Sequence, residues 1–308
     1  MSSLALSLIA GFLIAIIATI GYVSLFIAEK RLATIILIIV PFAAGSLLAA
    51  AFVDLIPEAF AQAGECAPLL ILIGIGAFYL LDHLLLVYHS HAGHRLPQHG
   101  HDSKCCPAKP LGVLNLAADT LHNITDGIII ASAFLVNPGL GISASIAVAL
   151  HEIPQEIGDF GILLWSGYNK LKALWLNLLV AFSILIGIAM VFLLSDMIDG
   201  FTMYTVPIAA GGFIYMALAN LLPEMREEHD TKKRFLQVGI VVLGIAVQFG
   251  IHAGLESLGI YHAHGHEHDE EHAVLHVDED REHGRMILDD HEHEESDHHE
   301  GEDNFEQR

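Results

Sequence analysis

An all-α integral membrane protein is the fold class this sequence predicts, on three observations. The 308 residues are 54% hydrophobic and 16% charged with a mean hydropathy of +0.54, whereas soluble domains carry about 25% charged residues. Eight apolar runs each approach or exceed the roughly 20 residues that a helix needs to cross a ~30 Å hydrocarbon core. Basic residues fall only in alternate loops between those runs, as a fixed orientation in a bilayer requires.

The runs cover about 4–26, 33–61, 69–90, 111–136, 141–166, 173–196, 201–224 and 235–256. Residues Met1 to Ser7 carry no basic side chain, and Leu4 to Phe26 is longer than the apolar stretch of a signal peptide, so the first run is expected to be a retained span. Lys30 and Arg31 follow run one, Arg95, Lys104 and Lys109 follow run three, and Lys170 and Lys172 follow run five. Arg226, Lys232, Lys233 and Arg234 follow run seven, while the loops after runs two, four and six hold no Lys or Arg. Cytoplasmic loops retain the basic excess. A multi-pass cell-membrane protein with both termini outside the cytoplasm is therefore expected.

The formal net charge of -22 is concentrated in one place, because residues 257–308 hold eighteen Asp and Glu against three Arg. Such a balance opposes binding to a phosphate backbone, so no nucleic-acid partner is expected. Three cysteines, Cys66, Cys105 and Cys106, cannot build a disulfide framework. Two domains are expected: a transmembrane region over 1–256 and a disordered, acidic, His-rich tail over 257–308.

An internal repeat is also legible. Pro41-Phe-Ala-Ala-Gly45 followed by Asp54-Leu-Ile-Pro57-Glu58 recurs without gaps 166 residues later as Pro207-Ile-Ala-Ala-Gly211 followed by Asn220-Leu-Leu-Pro223-Glu224. Run two leads outward and run seven inward, so the copies are expected to be antiparallel, the trace of an inverted-topology repeat. Runs four and five stand outside it as a central pair.

That pair carries the polar chemistry. Run four reads Asp119-Thr-Leu-His122-Asn123-Ile-Thr-Asp126-Gly127, and run five reads His151-Glu152-Ile-Pro154-Gln155-Glu156-Ile-Gly-Asp159. Charged and facing lipid, Glu152, Glu156 and Asp159 would together cost on the order of 8 to 10 kcal/mol, so they must face partners, water or a metal. His122 and Asp126 are four apart, as are His151 and Gln155, and Glu152 and Glu156, which stacks them in short columns on a helix. Pro154 removes one helical hydrogen bond and is expected to bend run five. Imidazoles, an amide and carboxylates suit a borderline divalent transition metal such as Zn2+, and the lack of thiolate or thioether at these positions argues against Cu(I). Proton relays use the same residue types and are the competing function. A zinc protease would place His at the fifth position of His151-Glu152-Ile-Pro-Gln155, where this chain has Gln, so no enzymatic activity is expected. Isolated His83 and His252 are read as hydrogen-bonded packing residues.

These residues resemble the Zrt/Irt-like (ZIP) family of zinc transporters, specifically the subfamily with a HEXPHEXGD signature in its fifth span. The likeness covers runs two to eight, through His122-Asn123-x-x-Asp126-Gly127, His151-Glu152-Ile-Pro154-Gln155-Glu156-Ile-Gly158-Asp159-Phe160, and Tyr215 to Pro223-Glu224. It implies eight helices arranged as three, two and three, and alternating-access movement of divalent metal into the cytoplasm. It also implies His122, Asn123, Asp126, His151 and Glu152 as metal ligands, with Gln155 at a position where the subfamily has His. An uncharged amide is a weaker ligand. Span six lacks a carboxylate between Ala173 and Leu194, so one well-formed site is expected rather than two.

The loop over 89–110, with His89, His91, His94, His99, His101, Cys105 and Cys106, resembles a cytoplasmic metal-receiving loop in relatives. The tail holds eleven His between His262 and His299 and could gather cations. Zn2+ is the expected substrate, with Fe2+, Mn2+ and Cd2+ left open because divalent affinities follow the Irving–Williams order. Divalent ions and the lipid bilayer are the expected partners, and a homodimer is one open expectation. The alternative reading is a cation-diffusion-type exporter, which normally has six helices and cytoplasmic ends.

Overall fold

A computed structural model describes residues 1–93, 109–225 and 230–260, with the side chains of 84–93, 109–110 and 224 left aside. The acidic tail from 261 onward and most of the His-rich loop lie outside the described residues. Among the described residues the chain is all-α. In order it forms α1 (Ser3–Ile17), α2 (Thr19–Ser24), α3 (Glu29–Ala49), α4 (Ile56–Ala63) and α5 (Ala67–Gly93). There follow α6 (Lys109–Val136), α7 (Pro138–Trp165), α8 (Lys170–Ala181), α9 (Ile184–Ser195), α10 (Phe201–Tyr215), α11 (Leu222–Glu224) and α12 (Thr231–Ser257).

Helix starts are set by short polar side chains that accept otherwise orphaned backbone N–H groups. Asn137 accepts from Leu140 N at 2.7 Å with Pro138 in the first helical position of α7, and Asn169 accepts from Lys172 N at 2.8 Å ahead of α8. Asp230 does the same for α12.

Among the described residues, five helical stretches are long and apolar enough to cross a membrane: Ser3–Ser24, Glu29–His83, Lys170–Ser195, Phe201–Leu221 and Thr231–Ser257. The chain is thus a multi-pass membrane protein by length and composition. The stretch from Glu29 to His83 has 55 residues, which at 1.5 Å each would reach about 80 Å if straight. It instead turns at a short 3-10 segment, Gly64–Cys66, where Gly64 has φ 53, a backbone region open to glycine. The 28-residue helices α6 and α7 are also long enough, and they carry ionisable side chains near their middles. Helix α7 runs unbroken through Pro154.

The sequence repeat has a structural counterpart. A π-helical turn at Ala50–Leu55 links α3 to α4, and a second at Met216–Leu221, 166 residues later, links α10 to α11. Each widened turn directly precedes a proline-bearing first turn, at Pro57 and Pro223, where a proline ring would crowd the carbonyl four residues back.

Small residues let the helix pairs approach closely, as in lipid where packing replaces hydrophobic drive. A Cβ at Gly45 of α3 would strike the carbonyl oxygen of Val241 on α12, and one at Gly244 would strike that of Phe42. Likewise a Cβ at Gly211 of α10 would strike the carbonyl oxygen of Ile71 on α5, and one at Gly74 that of Ile208. Gly211 and Ile208 lie 166 residues after Gly45 and Phe42; Val241 and Gly244 lie 170 after Ile71 and Gly74. The α3–α12 and α10–α5 pairs are therefore two copies of one packing unit, which extends the repeat to a second helix. Helices α6 and α7 pack on each other between these units, with α9 against α6 and α1 and α2 against α7.

His83 departs from the packing role expected of it. It is exposed, and its ring stacks on Tyr79, one turn back on α5, with centroids 5.6 Å apart.

Candidate metal centre

Four ligand atoms meet where α6 and α7 face each other. The four-residue spacing of His122 and Asp126 puts both on one side of α6, and His151 and Glu152 are neighbours on α7. One nitrogen or oxygen from each of the four lies within 4.8 Å of all the others. His151 Nε2 is 3.1 Å from Asp126 Oδ2, 3.3 Å from His122 Nε2 and 3.7 Å from Glu152 Oε1. His122 Nε2 is 3.4 Å from Glu152 Oε1 and 3.7 Å from Asp126 Oδ2. Ligands at Zn–N and Zn–O lengths of 2.0–2.2 Å on a tetrahedron are separated by roughly 3.3 to 3.6 Å. The observed separations bracket that range, so little movement is needed to enclose the ion.

Burial makes the case for a cation stronger. Asp126 is fully buried, Glu152 and His151 nearly so, and only His122 retains a side-chain exposure of 18%. Both carboxylate oxygens of Asp126 and Oε1 of Glu152 are buried; among the described residues Asp126 Oδ2 and Glu152 Oε1 meet imidazole nitrogens at 3.1 and 3.4 Å, and the three oxygens have no hydrogen-bond donor outside the group. Buried carboxylates are costly without a counter-charge, and a divalent ion held by both is one compensation their geometry allows. A carbonyl can only accept, so the 3.2 Å contact from His151 Nδ1 to Ala147 O places the proton on Nδ1 and leaves the Nε2 lone pair for metal.

The other two expected ligands turn elsewhere. Asn123 donates through Nδ2 to Asp119 Oδ1 at 2.9 Å and to the Asp119 carbonyl at 3.1 Å, and Gln155 Nε2 reaches the same Oδ1 at 3.4 Å. Asp119 is thus a hub one helical turn from the four-residue group. Its Oδ2 and Asn123 Oδ1 are buried without partners. Glu156 points to a different neighbour, accepting a short hydrogen bond from Asn177 on α8. The spacing of four between Asp119 and Asn123 was the sequence signal for the hub. Nothing local in the sequence marks Asn177 as the partner of Glu156.

Comparison with known proteins decides the lineage. Residues 87–252 match the sequence profile of the family described as ZIP Zinc transporter. This chain belongs to that family. It is similar to Zinc transporter ZIP13 of Pongo abelii, 32% identical over 223 residues, covering 67% of this chain and 63% of the relative. It is 30% identical to Zinc transporter ZIP13 of Homo sapiens over 251 residues, covering 67% of this chain and 68% of that protein. It is 41% identical to Zinc transporter SLC39A7 of Rattus norvegicus over 143 residues, covering 44% of this chain and 31% of the relative. This ZIP chain spans less than two thirds of the length of the Pongo abelii and Rattus norvegicus proteins. All four clustered residues, and Asp119, fall inside the matched region.

Proposed function

We propose that this ZIP-family chain carries Zn2+ into the cytoplasm by alternating access through the α6–α7 centre. The observation that carries the proposal is the convergence of His122, Asp126, His151 and Glu152 to within 4.8 Å of one another, with buried carboxylate oxygens among them that have no hydrogen-bond donor outside the group. The relatives bear the name zinc transporter, and a two-imidazole, two-carboxylate set is borderline-hard, as zinc prefers. His122, Asp126, His151 and Glu152 hold the ion. Asn123 and Gln155 serve as outer ligands on its way past Asp119, since the unpartnered Asn123 Oδ1 is available to a cation. The chain belongs to the branch with the HEXPHEXGD signature, modified at Gln155. It acts as a transporter and not as an enzyme, and Fe2+, Mn2+ and Cd2+ compete with Zn2+ to the extent that geometry permits.

Eight crossings in a three, two and three arrangement accommodate the helices. The five apolar stretches become six when Glu29–His83 is divided at its turn, and α6 and α7 complete the eight. With the basic residues of the alternate loops in the cytoplasm, both ends of the transport domain at 1–256 lie outside the cytoplasm, at the cell membrane. Residues 257–308 form an extracytoplasmic His-rich tail. The inward direction is supported by a cavity of about 50 Å³ that touches His122 and is lined by Asp82, in the C-terminal half of α5, and Ala118, in the N-terminal half of α6. Two such chains form a homodimer.

The test is uptake of Zn2+ into vesicles containing the purified protein, with Fe2+, Mn2+ and Cd2+ as competitors. Saturable zinc uptake that is lost in His122→Ala and His151→Ala supports the proposal. Uptake retained in both variants rejects it.

A further inference from the structure

The metal centre is flanked by two pairs of side chains that the repeat places in matching positions, and the two pairs are in opposite states. Asp54, on the π-turn after α3, matches Asn220 on the π-turn after α10, 166 residues later. His252 on α12 matches Asp82 on α5 by the same 170-residue offset that relates Gly244 to Gly74. One pair is thus Asp54 with His252, the other Asn220 with Asp82.

The first pair is closed by hydrogen bonds around a buried Asp54, while His252 keeps a side-chain exposure of 19%. His252 Nδ1 is 2.6 Å from Asp54 Oδ1, and Ser143 of α7 donates a short hydrogen bond to Asp54 Oδ2. Gln248 Nε2 donates to Ser143 Oγ at 2.7 Å, and Ser46 Oγ donates to Gln248 Oε1 at 2.8 Å. Asp54, Ser143, Gln248 and Ser46 are all at most 1% exposed, and none has a buried polar atom without a partner. This network ties α3, α7 and α12 together. It lies on the same face of α7 as the ligand His151, because Ser143, Ala147 and His151 are spaced four apart and Ala147 is fully buried.

The second pair is open. Asn220 is exposed where Asp54 is buried, and Asp82 accepts from Tyr215 Oη at 2.8 Å. Asp82, Tyr215 and Asn220 line the 50 Å³ cavity that reaches His122, with Ala118, one turn before His122 on α6, in its wall. A water needs about 10–15 Å³ of such volume, so the cavity admits a few waters or a partly hydrated ion to the only ligand of the four that is not buried.

We infer that Asp54–His252 and Asn220–Asp82 are the two gates of the metal path, the first shut and the second open in this conformation. The inference rests on the α6–α7 centre being the transport site. In the alternate state the two pairs exchange roles: the Asp54–His252 bond parts, and α5 and α10 close around Asp82. The polar network sets a hydrogen-bonded carboxylate–imidazole pair in one of the two related halves against an amide beside a carboxylate in the other.

The test uses full-length protein in detergent, where both faces meet the reagent, with Cys66, Cys105 and Cys106 changed to Ser. Single cysteines at Ala118→Cys and Ala147→Cys report the open and shut approaches by their rate of reaction with a small cationic thiosulfonate. With the gates intact, Ala118→Cys is expected to react faster by roughly tenfold or more, since a protected thiol reacts only during opening. Adding His252→Ala is expected to bring Ala147→Cys up to the rate of Ala118→Cys, while His252→Gln, whose amide can still donate to Asp54, restores protection. An unchanged Ala118→Cys rate in each background shows that the fold is kept. Equal reactivity of the two cysteines with His252 present, or protection of Ala147→Cys that survives His252→Ala, overturns the inference. Labelling is read without metal, so failure of zinc binding measured by titration of the same preparations rejects the transport site and leaves the gate result standing.

Discussion

The Nε2 atoms of His122 and His151 stand 3.3 Å apart across the α6–α7 contact, with the rings nearly perpendicular at 88°. The two imidazole nitrogens border the same small space between the helices, and the carboxylates of Asp126 and Glu152 stand within 3.7 Å of them. Replacing any one of the four by Ala is expected to weaken zinc binding by more than the roughly 10- to 100-fold that loss of an outer-shell partner costs. Titration calorimetry on protein lacking competing chelators measures it. A variant such as Asp126→Ala with unchanged affinity would remove that residue from the centre.

Protons and metal compete for the same imidazole nitrogens. Zinc needs the neutral ring, so transport is expected to decline as the medium is acidified and to be restored on return to pH 7.5. Initial uptake rates across pH 5 to 7.5 at fixed free zinc give the profile. A flat profile would mean that histidine does not carry the ion.

Asn177 supports Glu156 and touches none of the four clustered ligands. Asn177→Ala leaves a buried carboxylate without its donor, a change worth roughly 1–3 kcal/mol of stability. The expected result is a lower Tm in detergent with near-normal zinc affinity. Zinc affinity falling in proportion to that of the ligand variants would move Glu156 into the metal centre.

Close helix contact through glycine gives a packing prediction. A Cβ at Gly127 of α6 would meet the backbone carbonyl of Ile184, and one at Gly187 of α9 would meet that of Ile124. Backbone cannot yield as a flexible side chain can, so Gly127→Val is expected to cost about 1–3 kcal/mol or more by overpacking. Gly239→Ala, in open space on α12, should be neutral or slightly stabilising through helix propensity. Thermal unfolding of the two variants side by side makes the comparison.

Much of this arrangement was legible before any coordinates, and the parts that were not have physical reasons. The apolar runs match the helices within a few residues because lipid demands continuous hydrophobic length. His122, Asp126, His151 and Glu152 stood out because ionisable groups are rare and costly in such runs. Asn123 did not follow His122 into the group, since its amide found Asp119 four residues back. The partnership of Asp54 with His252 joins residues 198 apart, and no local pattern announces it. Its frame, the 170-residue relation between α5 and α12, rests in sequence on little more than Gly74-Ile75 and Gly244-Ile245. The shared close approach of those glycines to α10 and α3 made it visible.

Diffraction at the zinc absorption edge from crystals of the zinc-loaded protein addresses the metal centre most directly. The expected result is an anomalous peak bounded by His122, Asp126, His151 and Glu152, at about 2.0–2.2 Å from each ligand atom. Zinc found bound elsewhere in the chain, with no peak between α6 and α7, would contradict it.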